Sequence, residues 1–186
     1  MNAARQGLFR LVSISVCLGL ILTGLLVALG GPAQSVQAQA YVLLEEDFEG
    51  AFPPSDWQVI DNAGSGGVWV RNDAAGLPNY CAAGSGYAAG AHPGDTNSIS
   101  WDTELRSPPI DLTEASGAQL EYASHFQDYA GNGEIWMDVS TDGGASWTTL
   151  RNQTSDDPPG GAPAVGGTLE VESLTPYLGQ VIVLRW

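Results

Sequence analysis

The chain of 186 residues contains no lysine. Its six basic residues are all arginines, set against 21 aspartates and glutamates, and the formal net charge is −15. That balance repels a phosphate backbone and sets nucleic-acid binding aside. Cysteine is nearly absent, with only Cys17 and Cys81. Histidine is limited to His92 in a Gly/Pro-rich stretch and His125 in a strand-like one, with no HExxH spacing. No GxSxG elbow and no glycine-rich phosphate loop occurs, and there is no lysine to serve as a base, so the familiar hydrolase and nucleotide-binding signatures are missing. Beyond residue 40 no stretch carries a convincing helical period.

What is present begins with a leader. Arg5 and Arg10 form a positive start, residues 11–29 are almost uninterruptedly apolar, and Ala38-Gln39-Ala40 suits a signal peptidase. The expectation is a signal peptide over residues 1–40 and one domain over 41–186, exported to the extracellular space or cell surface. The alternative is an N-terminal membrane anchor, since the run approaches the ~20 residues that span a bilayer. Residues 14–16 do not form a lipoprotein box, so Cys17 is not expected to carry a lipid. Processing after Ala40 would leave 146 residues, with four arginines against all 21 acids and a net charge of −17. This size suits a single domain, and the acidity suits a solvated secreted protein able to attract divalent cations. Cys81 would then be the sole cysteine, so no internal disulfide can form, and a buried thiol is expected.

The clearest local pattern is EIWMDVSTDGGASWTTL, residues 134–150. Ile135, Met137 and Val139 alternate with Glu134, Trp136, Asp138 and Ser140, which is the period of a half-buried strand. Asp142-Gly143-Gly144 supplies the positive-φ residues of a tight turn, and the chain returns from Trp147 to Leu150. Further strands are expected over 41–49, 57–61, 68–70, 99–105, 119–126, 169–174 and 181–186, with a short one over 87–89. Leu120, Tyr122 and Phe126 share one face of their segment, and Glu121 and His125 the other. Residues 71–97 and 156–167 read as long loops rich in Gly, Ala and Pro. Short strands punctuated by Gly and Pro turns predict an all-β sandwich. The closing VIVLRW stops in mid-strand, so further strands beyond residue 186 are expected; the alternative is that this strand closes the domain.

The segments EDFEGAFPPSDWQVID, LRSPPIDLT, LEYASHF, VSTDGGASW and VIVLRW occur in that order. Together they resemble the jelly-roll domains grouped as MAM-like, cleaved-adhesin or choice-of-anchor J domains of bacterial secreted proteins. The resemblance covers residues 44–186, although the chain stops before the strands with which such domains usually finish. It implies a jelly-roll β-sandwich of two antiparallel sheets, acting as a non-catalytic module beside peptidases, adhesins or surface-anchoring segments. It also implies a structural calcium ion, at positions matched here by Glu49 and Asp61. Calcium takes six to eight hard oxygens, which carboxylates and loop carbonyls can provide. Asp47, Asp95 and Asn97 are weaker candidates.

Three surface features bear on function. Ser140 to Trp147 matches the Asp-box pattern S-x-D-x-G-x-[ST]-W of sialidase-type propellers. A propeller needs several copies and the chain has one, so Asp142 and Trp147 are read as stabilising a hairpin. Trp136 between Glu134 and Asp138 resembles a carbohydrate platform, and these three residues are the expected ligand-binding set for a cell-surface glycan or protein partner. An alternative is a jelly-roll glycan hydrolase using Glu134 and Asp138. Retaining hydrolysis needs carboxyls about 5–5.5 Å apart, whereas i and i+4 on a strand lie ~13 Å apart at Cα, and Trp136 replaces the middle acid of such trios. A further alternative is a spacer beside a catalytic domain outside this chain. The expectation is therefore a non-enzymatic adhesion or accessory module.

Overall fold

The computed structural model describes residues 6–17, 40–81, 86–92, 102–127, 133–155 and 167–186. Within them the regular structure is strand, apart from one 3₁₀ turn at Thr175–Tyr177. The strands are β1 (Gln6–Cys17), β2 (Ala40–Val42), β3 (Gln58–Asp61), β4 (Val68–Arg71), β5 (Ala89–His92), β6 (Thr103–Arg106), β7 (Ile110–Asp111), β8 (Gly117–Gln127), β9 (Ile135–Ser140), β10 (Thr148–Gln153), β11 (Thr168–Ser173) and β12 (Val181–Arg185). Sheet A has the order β11-β8-β1-β5-β4, with β2 beside β1; sheet B has the order β10-β9-β12-β6-β3, with β7 beside β12. Every pairing is antiparallel.

The inner faces of the two sheets meet in one core. Leu120 and Tyr122 of β8, with Ala89 and Ala91 of β5, pack in one cluster with Leu105, Met137, Val139, Ile182 and Leu184 of sheet B. Each follows the strand period, so that burying every second residue fills the space between the sheets. At about 1.5–3 kcal/mol for each fully buried large side chain, this cluster is the main source of stability. One end is aromatic: Trp57 stacks on Trp186 at 6.1 Å between ring centres, and Tyr122 meets Trp186 edge-on at 5.8 Å. Pro108 and Pro109 lack an N–H to give a ladder, so the pairing of this segment with β12 is split into β6 and β7.

Most of the expected strands are observed, and three regions differ. Residues 41–49 are not a continuous strand: β2 ends at Val42, and the acidic stretch winds into turns. Glu46 Oε1 accepts from the Phe48 amide at 2.7 Å, and Asp47 Oδ1 from the Glu49 amide at 3.0 Å. These two caps stabilise a bend in which Phe48 takes a positive φ of 60° and sinks into the core. The short strand of the long loop lies at Ala89–His92, slightly later than expected. The third difference is β1. It falls within residues 1–40, read from the sequence as a leader apart from the domain, yet its backbone runs between β8 and β5 in the middle of sheet A. β12 has ladder partners on both sides, β9 on one and β6 and β7 on the other.

Candidate functional site: the outer face of sheet B

On β9 the period that turns Met137 and Val139 inward turns Trp136 and Asp138 outward. Asp138 begins a polar row that crosses the sheet. In register, Thr149 of β10 faces Asp138, Asp138 faces Arg185 of β12, Arg185 faces Arg106 of β6, and Arg106 faces Gln58 of β3. Two arginines directly opposed on one face repel, and two acids resolve that conflict. Glu104 Oε2 accepts from Arg106 Nε at 2.6 Å, and its Oε1 accepts from Arg185 Nη1 at 2.9 Å. Asp138 Oδ2 accepts from Arg185 Nε at 2.8 Å. Asn62 Nδ2 closes the group, donating to Glu104 Oε1 at 2.9 Å and to Asp102 Oδ1 at 3.1 Å.

Burial works to raise the pKa of Glu104, but the hydrogen bonds from Arg106 and Asn62 and the charges of Arg185 and Arg106 outweigh it and hold the carboxyl below the usual range. Charged hydrogen bonds of this kind are the strong ones.

The Asp-box turn covers this network. Ser140 Oγ donates to Asp142 Oδ1 at 2.7 Å and accepts from the Gly144 amide at 2.8 Å. The Ser146 amide donates to Asp142 Oδ1 at 2.8 Å, and Ser146 Oγ to Oδ2 at 2.6 Å. These donors, the Ser146 hydroxyl foremost, hold the Asp142 carboxyl far below the ordinary value. Gly144 has a φ of 93°, and a Cβ there would lie 3.2 Å from both Arg106 Nη1 and Trp147 Cζ2. The turn thereby seats the Trp147 ring 4.3 Å from the Arg185 guanidinium carbon and 5.0 Å from that of Arg106, in cation–π range of both. Asp142 is a turn residue, as its motif suggests.

The expected ligand-binding trio divides. Trp136 is 44% exposed, opposite Asn152 of β10. Glu134 is also exposed and accepts from Asn152 Nδ2 at 3.3 Å. Asp138 is only 4% exposed and is held by Arg185, and its Oδ1 is buried without a hydrogen-bond partner. Trp136, Glu134 and Asn152 thus make an open patch, while Asp138 belongs to the covered ion network beside it.

The expected calcium residues are engaged separately. Asp61, at the end of β3, accepts from the Gly66 amide at 2.8 Å and the Ser65 amide at 3.3 Å, and these bonds, Gly66 first, lower its pKa. Glu49 Oε1 accepts from the Tyr87 amide at 2.8 Å. Gly86 beside it takes a φ of 76°, which favours glycine, and a Cβ there would push the Glu49 carboxylate aside. Asp47 caps the turn at Glu49, and Asp95 and Asn97 lie outside the described residues. Among the described residues no group of three or more His, Cys, Asp or Glu side chains is placed to hold a metal ion. Glu49 and Asp61 each cap a loop amide, of Tyr87 and of Gly66. The Cys81 side chain is buried.

Sequence reading missed Arg185, Arg106, Glu104 and Asn62. The local signal is charge on the outward positions of β6 and β12; Glu104 and Arg106 pair two residues apart on β6, but nothing local ties Arg185 or Asn62 to them. Among the described residues no helix is long and apolar enough to cross a membrane. Comparison of the chain with protein-family models, curated proteins and solved structures finds no match.

Proposed function

We propose that the chain is a secreted, non-catalytic adhesion or accessory module of MAM-like, cleaved-adhesin or choice-of-anchor J type, with a jelly-roll sandwich, and that it binds a cell-surface glycan or protein partner through the outer face of sheet B. The observation that carries this reading is the exposure of Trp136 between Glu134 and Asn152. An exposed indole on a sheet face offers a stacking surface, and the flanking carboxylate and amide offer the acceptor and donor that hydroxyl-rich or peptide ligands need. The neighbouring ion network keeps that surface rigid, since Asp138, Arg185 and Glu104 lock the strands beneath it.

The test is a glycan array and a surface-protein pulldown with the intact chain and with Trp136→Ala. The expected outcome is binding that Trp136→Ala abolishes while the melting temperature stays put, because an exposed side chain contributes within about 0.5 kcal/mol. Blank arrays and pulldowns, or binding indifferent to the substitution, would overturn the reading.

Calcium enters from the resemblance alone. At ~10 mM calcium, a site of the extracellular class with a dissociation constant of about 10⁻⁴–10⁻³ M would stabilise the fold by about 1.4–2.7 kcal/mol. A melt in calcium against EDTA is therefore expected to rise by several degrees. No rise leaves Glu49 and Asp61 as loop caps only.

A further inference from the structure

We propose that Asn152 is an N-glycosylation acceptor and that Trp136 is the platform on which its first sugar lies. The inference rests on export of the chain, through a leader or behind an N-terminal anchor. It does not depend on whether residues 1–40 are removed.

The sequence supplies the acceptor. Asn152-Gln153-Thr154 is an N-x-[ST] triplet whose middle residue is not proline, and no other asparagine of the chain opens one. Such triplets also arise by chance, so the placement of this one decides its meaning. β10 is an edge strand of sheet B, with β9 on one side only. The triplet spans its end: Gln153 is the last strand residue, and Thr154 lies exposed beyond it. Asn152 is itself exposed, and its Nδ2 makes a long bond of 3.3 Å to Glu134 Oε2. Other asparagines are spent on the fold. Asn62 Nδ2 donates to Asp102 and Glu104, Asn72 is buried, and Asn79 Nδ2 donates to the Gly86 and Tyr87 carbonyls.

The second observation is the register. Asn152 lies directly opposite Trp136. Opposed residues share a face of the sheet, with Cβ atoms about 4.5–5.5 Å apart. A sugar attached to Asn152 Nδ2 therefore starts beside an indole that is exposed on the same face. The C–H face of a pyranose suits the apolar body of that ring. The substituted amide keeps one N–H, so its bond to Glu134 can persist, and the Glu134 carboxylate can also accept from the sugar.

The donor belongs to the class of lipid diphosphate-linked oligosaccharides, acted on by an oligosaccharyl transferase. The bond from the anomeric carbon to the diphosphate oxygen breaks, and the lipid diphosphate leaves with its electron pair. Asn152 Nδ2 forms the new bond to that carbon and loses one proton to a base of the transferase. A chain loaded in this way has its own sugar on Trp136, so the indole is open to an outside partner only in the unmodified chain.

The experiment takes the full chain, recovered after export from the cells that make it, and maps its peptides by mass. The expected result is one glycan at Asn152, which peptide N-glycosidase removes with conversion of Asn152 to aspartate. Thr154→Ala should abolish it and Thr154→Ser should keep it; both changes lie at an exposed position outside the strand and leave the fold intact. In the loaded chain, NMR should show contacts between the Trp136 indole and the first sugar. An exported chain with bare Asn152, a glycan that survives Thr154→Ala, or an indole without contact to the sugar would overturn the proposal. Export is scored separately, by recovery of the chain outside the membrane. If its own N-terminus fails to carry it there, the export reading falls. The full chain behind a borrowed secretory leader, in a glycosylating host, then tests the acceptor by itself, and bare Asn152 there overturns the proposal.

Discussion

The two sheets cover their outer faces by different means. Sheet B is sealed by charge: Asp138, Arg185, Glu104 and Arg106 bond across three strands, and Trp147 lies over the two guanidinium groups. On sheet A a loop covers part of the face over β8, while Leu169 and Val171 of β11 stay exposed on that face. Leu77, Cys81, Ala88 and Ala123 form a small separate cluster on the face of β8 opposite the main core, and Tyr80 packs on His125 at 5.2 Å. The buried Asn72 holds this loop, donating from Nδ2 to the Leu77 carbonyl at 2.8 Å and accepting from the Ala88 amide at 2.9 Å. One cover depends on ionisation and on residues from distant strands. The other depends on apolar contact and one amide side chain.

The strongest way to break this contrast is Arg185→Ala. It leaves the buried Asp138 carboxylate without its partner, a situation that costs about 3–5 kcal/mol. For a domain of this size the melting temperature should fall by on the order of 10 °C, with hydrogen exchange rising first in β9, β12 and β6. An unchanged melt would show that the ion network is ornamental to stability. Leu77→Ala should cost less, about 1–2 kcal/mol, because the side chain is only partly buried. Its loss should be the same at pH 7 and at acid pH, and the exchange it provokes should be confined to sheet A. A pH titration gives the smallest effect and separates the two covers. Glu104 has its folded-state pKa lowered, so its stabilisation is present above the ordinary glutamate value and is lost as pH falls through and below ~4. Exchange in β6 and β12 should rise across that window while the apolar cluster of Leu77, Ala88 and Ala123 stays protected. Simultaneous loosening of both faces would show that the covers are not independent.

The two residues at the centre of the candidate site teach the same lesson at closer range. Trp136 and Asp138 lie two positions apart on one face of β9, and alternation assigns them to the same side. That much was legible in the sequence, as were the β8 pattern of Leu120, Tyr122 and Phe126 and the turn chemistry from Ser140 to Trp147. Their exposures nonetheless differ greatly, because Arg185, 47 residues beyond Asp138, arrives from β12. The bond from Arg185 to Glu104 spans 81 residues. No local period contains such separations. The acids at residues 46–49 show both ranges: Glu46 and Asp47 each accept from an amide two residues on, whereas Glu49 accepts from Tyr87, 38 residues away.

By itself the amino-acid sequence determined what depends on near neighbours. It set the strand period, which acts over two residues, and the glycine-dependent turns. It set the aspartate and serine that close the hairpin, and the net negative charge. Tertiary structure alone decided which strands lie side by side. It thereby settled which outward carboxylate is consumed in an ion pair and which indole stays open. It also decided that the backbone of residues 6–17 pairs between β8 and β5 in sheet A. The physical reason is that burial and charge pairing are properties of three-dimensional surroundings, and antiparallel pairing brings together residues that no short window of sequence contains.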